Sequence, residues 1–245
     1  MSNAAIDTND DYSVYQTSTI SALLAGVYDG TVTVSELLAH GDFGLGTFNH
    51  LDGEMIVLDG VCYHLRSDGS VTVATGTEHT PFAAVTYFHA KHELAIDTVT
   101  TRHALTALID GTINSANVGA SIRISGTFDS VRTRTVGEQK KPYPPLVDAA
   151  AGQAENTLTQ VTGTIAGYRT PPFEDEISVA GYHLHFIDDS RTRGGHVLDF
   201  VLSGGKVEIS PISELHLSLP ETTEFLDATI STDVAADENQ AEGGS

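Results

Sequence analysis

The segment GYHLHFIDDSRTRGGHVLDF carries three histidines, His183, His185 and His196, at a spacing that can bind a metal ion. His183 and His185 are two apart. In a β-strand, residues i and i+2 point to the same face, so both imidazoles project together. Tyr182, Leu184 and Phe186 then face the other way and supply packing. DDSRTRGG reads as a turn, and His196 opens the next apolar run, HVLDFVL. Pairing of the two runs as a hairpin would bring His196 beside the other two across the strands. Three neutral imidazoles suit Zn2+, Fe2+, Co2+ or Ni2+. Three protein ligands with an open position is the catalytic pattern, whereas a closed set of four is structural. The plainer account of an HxH pair is a polar sheet face, because short motifs recur by chance. The chain has 11 histidines in all. His79, His89, His92 and His103 fit no single face of one element, and His40, His50, His64 and His216 read as structural.

The elements around this segment are mostly strands. Ile20, Leu23, Leu24 and Val27 recur at helical spacing and stop at Asp29-Gly30, and Ser35-Glu36-Leu37-Leu38 suggests a short second helix. Gly41, Gly44 and Gly46 mark a bending loop. GEMIVLDGVCYHLRSDGSVTVA alternates apolar runs with Asp59-Gly60 and Asp68-Gly69, the pattern of β-hairpins joined by tight turns. AAVTYFHA reads as a strand, residues 101–117 as a helix, and SIRISGTFDSVRTRTV as a strand or hairpin. The prolines of KKPYPPLVDAAAGQAENT mark a boundary near residues 142–157, and the chain beyond it is strand-like until an acidic tail. The expected class is α+β: two β-rich subdomains with mixed sheets and a few helices, the metal hairpin in the C-terminal half. The expected division is 1–17, a flexible acidic N-terminus; 18–150, an N-terminal mixed-sheet subdomain; 151–230, a C-terminal β-rich subdomain holding the hairpin; and 231–245, an acidic tail.

Composition narrows the function. The 245 residues include 12 basic and 33 acidic side chains, a formal charge of −21. Such a charge disfavours nucleic acid and anionic membranes as partners. It suits either a plain solvated surface or solubility in high salt, where monovalent ions screen self-repulsion. No apolar run approaches the ~20 residues of a membrane helix, and MSNAAIDTNDDYSVYQ has neither the basic start nor the apolar stretch of a signal peptide. A cytoplasmic location is therefore expected. The single cysteine, Cys62, agrees with a reducing compartment and leaves any metal site to His and carboxylates.

Several segments together resemble the alpha-acetolactate decarboxylases: LLAGVYDGTVTVSELLAHGDFGLGTFNHLDGEMIVLDGVCYHL, then RTRTV and KPYPPL, and above all the histidine segment itself. The resemblance runs in order from about residue 20 to about residue 230. It departs most in the acidic surface and the short, divergent tail. It implies decarboxylation of 2-acetolactate to acetoin and CO2 by a homodimer that holds Zn2+ or another divalent transition metal. By position, His183, His185 and His196 match the family's zinc ligands, Glu54 in LDGEM its first catalytic carboxylate, and Arg134 in RTRTV its active-site arginine. A tail glutamate is also implied; Glu242 is the choice and Glu238 its rival. Thr47 lies in the glycine-rich loop, as a pocket residue or a shaper of the loop.

The chemistry needs such groups. Loss of CO2 from a β-keto acid leaves an electron pair on the former α-carbon, and a Lewis acid stabilises the enediolate that results. An arginine fork can hold the substrate carboxylate, and a carboxylic acid with a tuned pKa can deliver the proton. No organic cofactor is needed, and no glycine-rich nucleotide fingerprint is present. Two other functions stay open: a cupin-like oxygenase or isomerase, which would add a Glu where Asp188 and Asp189 stand, and a non-catalytic metal-binding module. Each residue also has a plainer role. Glu54 could pair with Arg66, Arg134 could be a surface cation, Arg191 and Arg193 could bridge Asp188 and Asp189, and Cys62 could be a small buried side chain.

Overall fold

The structure, a computed structural model, describes residues 12–230. The first part of the chain forms β1 (Ser13–Thr17), α1 (Ile20–Leu24), β2 (Val32–Thr33), α2 (Val34–Leu38), β3 (Phe43–Thr47), β4 (Glu54–Leu58), β5 (Val61–Leu65), β6 (Val71–Val73), β7 (His79–Thr80) and β8 (Ala83–Thr86). Then come β9 (His92–Ile96), β10 (Thr100–Thr101), α3 (Arg102–Ile113), β11 (Gly119–Thr135), α4 (Leu146–Ala150), β12 (Ala154–Thr170), β13 (Gly181–Asp188), β14 (Gly194–Ile212), β15 (Glu214–Ser218) and α5 (Thr223–Asp227). The α+β class with mixed, β-rich sheets is what the sequence led us to expect. Among the described residues, no helix is long and apolar enough to cross a membrane.

Seven strands make the first sheet, in the order β15-β1-β8-β3-β4-β5-β6. Its hairpins turn where the sequence places Asp-Gly pairs. Asp59 and Gly60 have φ of 51° and 78°, a left-handed turn that glycine enters without a steric cost. The second sheet runs β10-β14-β11-β12-β13, with β9 also on β14. Because β13 pairs with β14 as well as with β12, the neighbours β11, β12, β13 and β14 close on themselves. α3 packs on this sheet through Leu105 and Ile109, one helical turn apart and both buried. Thr101 caps its start by accepting from the Ala104 amide. Inside, Phe128 meets Phe186 and Phe200 edge-on, with centroids 5.5 and 5.9 Å apart, the geometry that aromatic quadrupoles favour.

The two sheets share a core. Phe43, Ile56, Leu58 and Leu65 of the first pack with Ala166 and Ile187 of the second. Burial of each of the larger of these side chains contributes roughly 1.5–3 kcal/mol, which holds the two sheets together.

Two expectations about organisation change. Residues 13–17 were expected in a flexible terminus, yet they form β1, between β8 and the parallel β15. Val14 is buried, and the buried Gln16 donates to the carbonyls of Ser18 and Ile177; the polar composition hid a strand whose polar groups are satisfied internally. Second, β11 and β12 lie on opposite sides of residue 150 and pair from Ala120↔Arg169 to Thr135↔Ala154. The second sheet thus starts at β9, and β15 returns to the first.

Candidate active site

The predicted hairpin forms. His183 and His185 project from β13, and His196 of β14 sits directly across from His185. The three rings gather with centroids 5.1 to 5.4 Å apart. One nitrogen from each lies within 4.8 Å of the others, and the three side chains form a group that could hold a metal ion. Gly194 and Gly195 bring the strand in. A β-carbon at Gly194 would lie 2.3 Å from the Phe186 carbonyl oxygen, and one at Gly195 would lie 2.7 Å from that of Arg134.

The donor set fits a cation. His185 Nδ1 is 2.7 Å from the Met55 carbonyl oxygen. A carbonyl only accepts, so Nδ1 carries the proton and donates, and Nε2 presents its lone pair to the cluster. Burial first, and the Arg134 guanidinium second, push the His183 pKa down to about 3. His183 is thereby kept neutral, as a metal ligand must be.

Glu54 and Arg134 enter from different sheets. Glu54 opens β4, and its carboxylate approaches His185 Nε2 at 3.6 Å. Arg134 lies on β11 directly across from His196, is only 4 % exposed, and donates to Gln153 Oε1 at 3.2 Å. Glu54, Arg134, His183 and His196 line one small cavity of about 30 Å³, walled by Ile20, Leu23, Leu51, Phe82, Val136 and Leu146. Thr47 also lines it, and its hydroxyl donates to the Gly53 carbonyl at 2.6 Å, so it both borders the pocket and shapes the loop. A second, mainly apolar chamber of about 190 Å³ also borders His183. Glu242 and Glu238 lie outside the described residues.

Other expectations resolve locally. Arg66 pairs with Asp52 and Glu78. Arg193 Nε bonds Asp188 at 2.9 Å, while Arg191 donates to the Asp188 carbonyl. The Asp188 carboxylate also accepts the Thr192 and Arg193 amides and so ties the metal hairpin's turn. Sequence reasoning missed Gln153, whose small-residue surroundings gave no sign that its amide would reach Arg134 across 19 positions.

Comparison with known proteins decides the family. Residues 14–232 match the family described as Alpha-acetolactate decarboxylase. The chain belongs to the alpha-acetolactate decarboxylase family. Named members include the Alpha-acetolactate decarboxylase of Methylococcus capsulatus, 44% identical over 95% of this chain and 88% of the relative. That of Bacillus subtilis is 45% identical over 94% of this chain and 91% of its own length. A crystal structure of the Bacillus subtilis strain 168 protein superimposes with a TM-score of 0.92 at 43% identity, over 95% of this chain and all (100%) of that one. With that agreement, the alpha-acetolactate decarboxylase fold is the frame within which the three-histidine group is placed.

Proposed function

We propose that this chain decarboxylates 2-acetolactate to acetoin and CO2 at the three-histidine group, with His183, His185 and His196 as ligands of a divalent cation and zinc as the ion. Family membership makes the chain a carboxy-lyase acting on acetolactate. One observation carries the assignment to this site: Glu54 approaches His185 Nε2 at 3.6 Å, and shares one cavity with Arg134, His183 and His196. Bound there, the cation would supply a Lewis acid for the electron pair left when CO2 departs.

The remaining steps belong to side chains. Arg134 offers its planar fork to the substrate carboxylate, held in place by Gln153 and by burial. The apolar wall of Leu23, Leu51, Phe82 and Val136 keeps water from that carboxylate. A charged group that leaves as neutral CO2 gains from such a surrounding. The carbon–carbon bond to the carboxylate breaks, its electron pair stays on the former α-carbon and spreads to the ketone oxygen, and a proton completes acetoin. Glu54 is the proposed proton donor, reloaded from water. Glu242 is proposed as a second carboxyl, with Glu238 its rival; a chain ending at Ile230 that turns over normally removes both from the mechanism.

The family resemblance supports a homodimer built through the first sheet, which light scattering tests. The lone, buried Cys62 supports a reducing, cytoplasmic setting.

The direct test is anaerobic incubation of metal-loaded protein with racemic 2-acetolactate. Acetoin from the wild type, and none from His183→Ala/His185→Ala, is expected. No acetoin from folded, metal-loaded protein at low and high salt alike overturns the proposal, and oxygen uptake in air would favour an oxygenase instead.

A further inference from the structure

We propose that His64 is a positioning residue for Glu54 and acts through the backbone carbonyl of Asp52; this rests on the reading of Glu54 as proton donor. His64 lies on β5, across from Met55 of β4, with a side chain only 3% exposed. Its Nε2 is hydrogen-bonded to the Asp52 carbonyl oxygen. Since that oxygen can only accept, Nε2 carries a proton and donates in either charge state of the ring. Nδ1 lies 3.0 Å from Glu78 Oε1 and 2.9 Å from Arg66 Nη2. Protonated, it donates to Glu78; bare, it accepts from Arg66. Phe48 stacks on the ring with centroids 3.7 Å apart. Glu78 is itself anchored, its second oxygen taking the amide and hydroxyl of Thr75. The imidazole is therefore held at both nitrogens and on one face.

What it holds is the segment that delivers Glu54. Between β3 and β4, His50 and Leu51 have φ of 65° and 55°, and Gly53 follows at 76°. Residues other than glycine keep such a conformation only where their surroundings impose it. Here the Gln139 amide donates to the His50 carbonyl at 2.7 Å, Thr47 donates to that of Gly53, and His64 donates to that of Asp52. The His64 bond holds the carbonyl end of the Asp52–Gly53 peptide plane, two residues before Glu54, while the N–H of that plane donates to the Leu51 carbonyl at 2.9 Å. Without His64 the plane keeps only one of its two anchors, and the first residue of β4 shifts with it. Proton delivery depends on placement to within about half an ångström. His64 thus serves the reaction without touching substrate.

The test uses full-length, metal-loaded protein. Turnover of 2-acetolactate and metal content are measured for the wild type, His64→Ala, His64→Gln and Glu54→Gln. His64→Ala is expected to lower kcat about tenfold or more, with KM within about twofold and metal content unchanged. His64→Gln, whose amide can still donate to the Asp52 carbonyl, is expected to recover most of the loss. Wild-type kcat in His64→Ala beside an inactive Glu54→Gln overturns the positioning role and leaves the Glu54 reading intact. Full activity in Glu54→Gln overturns that reading and the positioning role with it. A loss in His64→Ala that tracks lost metal or lost folded protein, and that Gln does not relieve, makes His64 a core residue only and also overturns the proposal. Should His64→Ala not fold, His64→Phe keeps the ring volume and the stack while deleting both nitrogens; the same loss of kcat is expected, and wild-type kcat overturns the proposal.

Discussion

The Met55 carbonyl oxygen, on a strand of the first sheet, accepts the Nδ1 proton of His185, on a strand of the second, at 2.7 Å. This one bond crosses between the sheets and sets the tautomer of the central histidine. Met55 directly follows Glu54 in the chain, so the same bond ties the imidazole to the strand that carries the carboxylate it faces. Loss of the ring should therefore be felt twice. His185→Ala is expected to lose metal binding and to lower kcat/KM by more than about 100-fold. Metal content by elemental analysis and turnover check it.

Chelation should destabilise the fold as well as stop the reaction. The histidines come from β13 and β14, the pair that closes the second sheet. A cation at 100 times its dissociation constant stabilises a folded protein by about 2.7 kcal/mol. Melting with and without chelator should show a drop of several degrees, restored by adding the metal back.

Acid should weaken the metal-free protein through His183. In the unfolded chain its imidazole takes a proton near 6.5; in the fold, burial and then Arg134 hold the value down to about 3. Between these values the unfolded state binds the extra proton, so stability falls as pH drops from about 6.5 toward 3. The slope from this group is at most about 1.4 kcal/mol per pH unit. Urea titrations of chelated protein across that window should show a shallower fall for His183→Gln than for the wild type.

Arg134→Lys is expected to lower kcat/KM by about 100-fold. An ammonium keeps the charge but loses the fork and the bond to Gln153. Gln153→Ala should cost less, chiefly in KM. Steady-state kinetics of both variants distinguish a positional need from a need for charge alone.

Cys62 should be silent in the native protein. Burial first, and Glu78 second, push its thiol up to about 12, and the residue is 2% exposed. A thiol reagent should react with it only after denaturant is added, since the thiolate is the reactive form.

The metal hairpin was the most legible part of the site, because an i, i+2 pair and a short turn are local facts of the chain. Glu54 and Arg134 were reached only through resemblance. They stand 131 and 51 positions from His185 (185 − 54 and 185 − 134); the pairing of β11 with β14 brings Arg134 to the histidines, and the meeting of the two sheets brings Glu54. His64 read as structural, and its place behind Glu54 depends on the β4–β5 register, which no spacing rule states. The Asp-Gly hairpins were plain, as turn chemistry is carried by one or two residues. β1 and the return of β15 were hidden because a polar strand of five residues looks like a tail until its distant partner is known.

That return has a consequence during synthesis. β1 leaves the ribosome before β8 and can pair with it early, yet its other edge waits for β15. About 130 residues separate Thr86 from Ser218, which takes roughly ten seconds or more to translate. Through that interval each nascent chain carries an open strand edge, a template for pairing with its neighbours on a polysome. The acidic excess, −21 for the whole chain, is already partly present in the unfinished chain and acts before the fold is complete, as mutual repulsion that holds such chains apart.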